Sequence, residues 1–151
     1  MASLNDAPRI SPMLWFDSEA EEAVSFYLSV FKNSRRIGEF RPKADGPPLT
    51  ITFELEGQRY TALNGGPMFK FNEAISFVVR CDSQQEVDEY WAKLSAGGSE
   101  SQCGWLKDKF GVSWQVTPAI LLDLIKHPKA MEAMLKMKKL DIAELQRAAN
   151  S

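Results

Sequence analysis

The residues of this sequence that could do chemistry are a carboxylate in an aromatic loop, a thiol beside a glycine, and a set of indoles and amides suited to holding a ligand. Glu73 closes the stretch Phe69-Lys70-Phe71-Asn72-Glu73. Buried beside aromatic rings, its carboxyl would have a raised pKa and could act as a general base. Solvated, or paired with Lys70, it would be an ordinary surface carboxylate. The same loop, with Asn64 just before it, could gate a ligand or fold over a second copy as part of a dimer seam. Cys103 precedes Gly104, but the sole histidine is His127, far along the chain. Thiolate chemistry would therefore need Lys107 or Lys109 as its activator. Trp105 and Trp114 flank a hairpin; they either line an apolar cavity or pack in the core, whereas Trp15 and Trp91 read as core.

Composition narrows the field. An apolar fraction of 44% and a charged fraction of 25% are ordinary for a globular chain of 151 residues. A formal net charge of -2 argues against a nucleic-acid partner, because phosphate-reading surfaces make a domain basic. The short basic clusters Arg35-Arg36 and Lys136 with Lys138-Lys139 read as solvated faces. No apolar run reaches membrane-spanning length and no signal pattern opens the chain, so a cytoplasmic protein without membrane association is expected. Cys81 and Cys103 are too few for a disulfide framework and read as reduced thiols.

The elements that must position these residues follow from periodicity. After a loose lead-in over 1–8, a strand is expected over 9–16, then a helix from Glu19 to Phe31 capped by Asp17-Ser18. Arg35 to Phe40 reads as a strand, and 41–48 as a loop rich in proline. Leu49 to Glu56 alternates as a half-buried strand, turns at Gly57-Gln58 and returns over 59–63. The order then starts again. Ala74 to Cys81 is a strand, Asp82-Ser83 a cap, and Gln84 to Ser95 a helix that Gly97-Gly98 ends. Trp105 to Lys107 and Val112 to Thr117 form a hairpin, while the strand before them is poorly marked. The halves match internally: Gly57, Tyr60, Thr61 and Ala62 align with Gly111, Trp114, Gln115 and Val116.

This predicts an α+β fold of two βαβββ modules, about 9–66 and 73–118, forming curved mixed sheets around a cleft within a single domain. A helical tail, 119–151, completes it, with Pro118 and Pro128 as helix starts and Asp141 as a cap. Met131, Met134, Leu135, Met137, Leu140, Ile142 and Leu145 must pack on the core or on a second subunit. A homodimer is expected.

The stretches Phe16-Asp-Ser-Glu-Ala-Glu-Glu-Ala-Val-Ser-Phe-Tyr27, Ala62-Leu-Asn-Gly-Gly-Pro67 and Cys103-Gly-Trp-Leu-Lys-Asp-Lys-Phe-Gly-Val-Ser-Trp-Gln-Val116 resemble the PhnB-like branch of the vicinal oxygen chelate superfamily. This is the glyoxalase/bleomycin-resistance group, and the branch is often labelled 3-demethylubiquinone-9 3-methyltransferase-like. The resemblance implies metal-ligand positions on the first and fourth strands of each module. They fall at Ile10 or Pro12, at Ala74 or Ser76, and at Thr61 and Gln115, none of which is a strong ligand. No metal and no cofactor is therefore expected. Thr61 and Gln115 could hydrogen-bond a ligand or satisfy each other. Gly65-Gly66-Pro67 leads into aromatic residues and a strand, which offers no helix N-terminus to a methyl-donor cofactor. The function expected is binding of a small organic ligand through Thr61, Asn64, Phe69, Phe71, Trp105, Trp114 and Gln115. The alternative is a metal-independent lyase or isomerase using Glu73.

Overall fold

Strand alternation and helical spacing resolve, in the computed structural model, into two sheets, each backed by one helix; the structure describes residues 4–151. The first three residues of the expected lead-in lie outside the described ones. The chain divides into two compact units between Lys70 and Phe71. The first runs β1 (Met13–Phe16), α1 (Ala20–Val30), β2 (Ser34–Phe40), β3 (Thr50–Leu55) and β4 (Gln58–Asn64). Its sheet has the order β1-β4-β3-β2, with β1 parallel to β4 and the other pairs antiparallel. Ile51, Phe53 and Leu55 alternate into the core with Tyr60, Ala62, Leu14 and Phe16, facing Ala23, Val24, Tyr27 and Val30 of α1. The Tyr27, Phe53 and Tyr60 rings stack in sequence.

Local details differ from the periodicity in instructive ways. The first strand covers only Met13–Phe16, and Ile10 before it is exposed. Helix α1 starts at Ala20 without a side-chain cap from Asp17 or Ser18. Its Ala20 N–H instead donates to Asn64 Oδ1 at 2.9 Å, while Asn64 Nδ2 donates to the Pro48 carbonyl at 3.0 Å. The β3–β4 turn is centred on Glu56-Gly57, with φ of 49° and 86°. Two positive φ values at the turn centre match the twist of the flanking strands. A bulge interrupts β2 between Arg36 and Gly38. The extra residue puts Arg36 and Glu39 on the same face, where Arg36 pairs with both Glu21 of α1 and Glu39.

The second unit repeats the plan: β5 (Ser76–Cys81), α2 (Gln84–Ser95), β6 (Ser99–Glu100), β7 (Trp105–Lys107) and β8 (Ser113–Pro118), in the order β5-β8-β7-β6. Ser83 caps α2, accepting from the Glu86 N–H at 3.2 Å, as expected. Pro118 ends β8 rather than starting a helix. The tail forms α3 (Leu121–Leu124), α4 (Pro128–Leu135) and α5 (Ile142–Ala149), the last capped by Asp141. Part of its apolar set is buried within the unit, where Leu121, Met134, Leu140 and Leu145 cluster against Cys103 and Met137, while Leu122, Met131 and Leu135 stay exposed. The Gln84 side chain fastens this cluster to α2. It accepts from the Ile142 N–H at 2.8 Å and donates to the Leu140 carbonyl at 3.1 Å and to Asp88 at 2.9 Å.

The β7–β8 hairpin is built on a buried carboxylate. Asp108 is 2% exposed, and its Oδ1 accepts from the Phe110 and Val112 N–H groups at 2.9 and 3.1 Å. Oδ2 accepts from the Trp114 indole N–H at 2.9 Å. Converging donors compensate the desolvated charge. Asp108→Asn, which must turn an amide N–H toward one of these donors, should destabilise the fold by about 2–3 kcal/mol. Urea denaturation reads this directly; an unchanged midpoint would show the carboxylate to be dispensable.

Candidate functional site

Because side chains alternate along a strand, each sheet has a face that looks away from its helix. In the second unit, β8 sends Trp114, Val116 and Pro118 toward α2 and keeps Ser113, Gln115 and Thr117 on the other face. Register adds their neighbours. Trp105 is the partner of Gln115, Lys107 and Ser76 are partners of Ser113, and Val78 is the parallel partner of Gln115. One face thus carries a half-buried indole, two serine hydroxyls, a glutamine amide and a lysine. The Gln115 Nε2 donates to Ser76 Oγ at 3.0 Å. The Ser113 hydroxyl, in a residue only 1% exposed, has no hydrogen-bond partner.

Glu73 closes this face by an ion pair with Lys107. The hydrogen bond from Lys107, then its charge, holds the Glu73 carboxyl below its ordinary value of 4.5. Of the two readings of Glu73 the solvated surface carboxylate holds, since it is largely exposed, but its partner is Lys107 rather than Lys70. A carboxyl so placed is a weaker base. Phe71 lies near the β7–β8 turn, its Cβ 4.0 Å from where a Cβ on Gly111 would stand.

In the first unit the corresponding face carries Met13, Trp15, Thr52, Thr61 and Leu63. Thr61 is half-buried with Met13 and Thr52 as register partners. Trp15, expected in the core, stands here. Its indole N–H donates to the Gly66 carbonyl at 2.9 Å, and its ring meets that of Phe69 edge-on at 4.9 Å. A Cβ on Gly65 would come within 2.4 Å of the Trp15 ring, so only glycine fits there. Asn64 gives its side chain to α1 and Pro48, as described, and so acts in the frame of this unit. Trp114 likewise takes the packing alternative, tied to Asp108 and set against Phe77 at 5.4 Å between ring centroids.

Two cavities lie elsewhere. One of about 390 Å³ opens at the start of α2 between Cys81, Ser83, Pro118, Ile120 and Ile142. Burial, with the charges of Glu86 and Asp82, pushes the Cys81 thiol up to about 12, which keeps it protonated and inert. The other, of about 330 Å³, is walled by Pro42, Pro47, Pro48 and Leu49. Cys103 packs against the tail cluster, its N–H bonded to the Met137 carbonyl at 2.8 Å.

The model of the 3-demethylubiquinone-9 3-methyltransferase family matches residues 8–117. The chain belongs to this family. It is similar to the PhnB protein from Bacillus cereus, at 33% identity over 74% of this chain and 100% of that one, with a TM-score of 0.68. Protein PA1353 from Pseudomonas aeruginosa shares the fold at 20% identity, over 74% of this chain and 98% of that one, with a TM-score of 0.60. So does the fosfomycin resistance protein FosX from Listeria monocytogenes, solved with Mn(II) and sulfate, at 18% identity, 76% and 90% coverage, and a TM-score of 0.52. The family match and the likeness to PhnB place the chain in the vicinal oxygen chelate superfamily. No curated protein matches the chain.

The fold of this family can be set against the residues present. Met13 pairs with Thr61 as Val78 pairs with Gln115, so the counterpart of Ser76 is Ser11, two residues before Met13, rather than Ile10 or Pro12. Ser11, Thr61, Ser76 and Gln115 are neutral oxygen and amide groups, which do not fit a divalent ion that wants carboxylate or imidazole. Among the described residues no group of three or more His, Cys, Asp or Glu could hold a metal. The glycines of the Gly65-Gly66 turn are used by Trp15, and the next element is a strand, so this turn does not fit a methyl-donor cofactor either.

The Glu73–Lys107 pair has a pH signature. Because the folded-state value is depressed, the pair's stabilisation is complete above the ordinary value of 4.5 and fades as pH falls through the folded one. In Lys107→Met the Glu73 carboxyl should titrate back near its ordinary value, followed by carboxyl chemical shift. Identical curves in the two proteins would dissolve the pair.

Proposed function

We propose that this chain is a small-molecule-binding protein of glyoxalase/bleomycin-resistance type that works without a metal or cofactor. The observation that carries this reading is the bond between Gln115 and Ser76. The position where the superfamily resemblance looks for a metal ligand holds an amide already donating to a hydroxyl. Beside it stands Trp105, an indole able to stack on a flat organic molecule. The methyltransferase activity in the family's name finds no support in these residues, and the lyase or isomerase alternative loses ground with the lowered pKa of Glu73.

The test is a metal analysis of untagged protein, with thermal shifts on adding Mn²⁺, Ni²⁺, Zn²⁺ or Fe²⁺ and, separately, indole. Indole in hundredfold excess over its Kd should raise Tm on the order of 5–10 °C, and equally in Glu73→Gln. The metals should leave Tm unchanged. Stoichiometric bound metal with a matching shift would overturn the reading and favour metal-assisted chemistry.

For assembly, the reading is a homodimer in the cytoplasm. The tail supplies part of the reason, since Leu122, Met131 and Leu135 stay exposed outside its buried cluster. Support comes from Met13 and Val78 on the faces turned away from the helices, 58% and 61% exposed. Sedimentation at micromolar concentration should give twice the chain mass, and Val78→Asp should shift it toward monomer. A monomeric wild type would refute the dimer.

A further inference from the structure

The second unit's exposed sheet face specifies more than an apolar ligand, and this step rests on the binding reading above. Its hydrogen-bonding capacity is half used. Gln115 Nε2 is engaged with Ser76 Oγ, which leaves the Gln115 carbonyl oxygen as an acceptor and the Ser76 hydroxyl proton as a donor. Ser113, register partner of Ser76, adds a hydroxyl that is buried and without a partner. A buried hydroxyl left unpaired is costly, and natural proteins keep few of them. Lys107, the other partner of Ser113, is neutralised by Glu73, and Arg80, farther along the face opposite Thr117, pairs with Asp82, so these side chains carry no net charge.

We infer that this face recognises an uncharged planar molecule bearing a carboxamide or an equivalent adjacent donor and acceptor. The ligand N–H donates to the Gln115 oxygen, its carbonyl accepts from the Ser113 or Ser76 hydroxyl, and its ring lies on Trp105. A carboxylate in the same place would set an anionic oxygen against the Gln115 oxygen, with Lys107 and Arg80 already paired to Glu73 and Asp82. A purely apolar ring would leave Ser113 unpaired. The chemistry selected is that of an aromatic amide or lactam, and selectivity comes from leaving buried polar groups unpaired when the wrong ligand enters.

Benzamide, benzoate and toluene share one ring and differ in the group at issue. Binding is followed by the Trp105 indole N–H shift in NMR titrations of the full chain. Benzamide should bind at least tenfold more tightly than benzoate or toluene. Ser113→Ala should weaken benzamide at least fivefold while leaving Tm unchanged or raised, because it deletes a group with no protein partner. If Ser113→Ala lowers Tm and leaves the benzamide affinity intact, the hydroxyl is structural and the inference falls. If the three probes bind alike through Trp105, small-molecule binding stands and the carboxamide preference is wrong. If none of the three perturbs Trp105, while indole still raises Tm, the ligand face lies elsewhere and this inference fails alone. If indole fails as well, both readings fail.

Discussion

Each four-stranded sheet in this chain has two faces, and each unit has one long helix to lay against it. That inequality organises the rest. Leu14, Phe16, Ile51, Phe53, Tyr60 and Ala62 must follow the helix-facing parity in the first unit, as Leu106, Trp114 and Val116 must in the second. Every residue of opposite parity is then committed to the uncovered face, whatever its chemistry. Thr61, Gln115, Ser76 and Trp105 meet the solvent side because their neighbours in sequence are needed inside. Core formation and site formation are one event, seen from opposite sides of the sheet.

The same parity shows what could be read beforehand and what was misread. Strands β3 and β4 were legible because Leu, Ile and Phe alternate with Thr and Glu, and the internal repeat located β7, β8 and the Thr61–Gln115 match. Trp114 and Gln115 cannot both line a ligand face, because consecutive strand residues point to opposite sides of the sheet. Trp15 was misassigned for a related reason, since nothing local reveals that Gly65 and Gly66 form a seat for its ring. The capping of α1 by Asn64 and the pairing of Glu73 with Lys107 join residues distant in sequence, and local pattern carries no trace of either. Strand β6, two residues long, is below the length at which alternation can be recognised.

The family name and the residues point in different directions, and the residues are the stronger physical guide to chemistry. The likeness to PhnB covers the two modules and transmits their architecture. Within it, this chain fills the resemblance-derived ligand positions with neutral groups and uses its glycine pair for internal packing. Its tail has become a fastening for the second unit. Through Gln84 it is joined to the start of α2, and Asp88, one turn farther on, is held ionised by the Gln84 amide and by Lys139. The Gln84 amide gives this contact a direction as well as an energy.

The bulge in β2 has a consequence for the chain in a crowded solution. Strand β2 is an outer edge of its sheet, where unpaired backbone groups invite another chain to add a strand. Two residues three apart, such as Arg36 and Glu39, would point to opposite faces of a regular strand. The extra residue turns both toward α1, kinks the edge and surrounds it with the charges of Arg35, Arg36, Glu39 and Arg41. The outer edge of the second sheet, β6, is instead kept too short to template anything. At these two edges runaway polymerisation is blocked by different means, so neighbouring copies can meet there without extending one another's sheets.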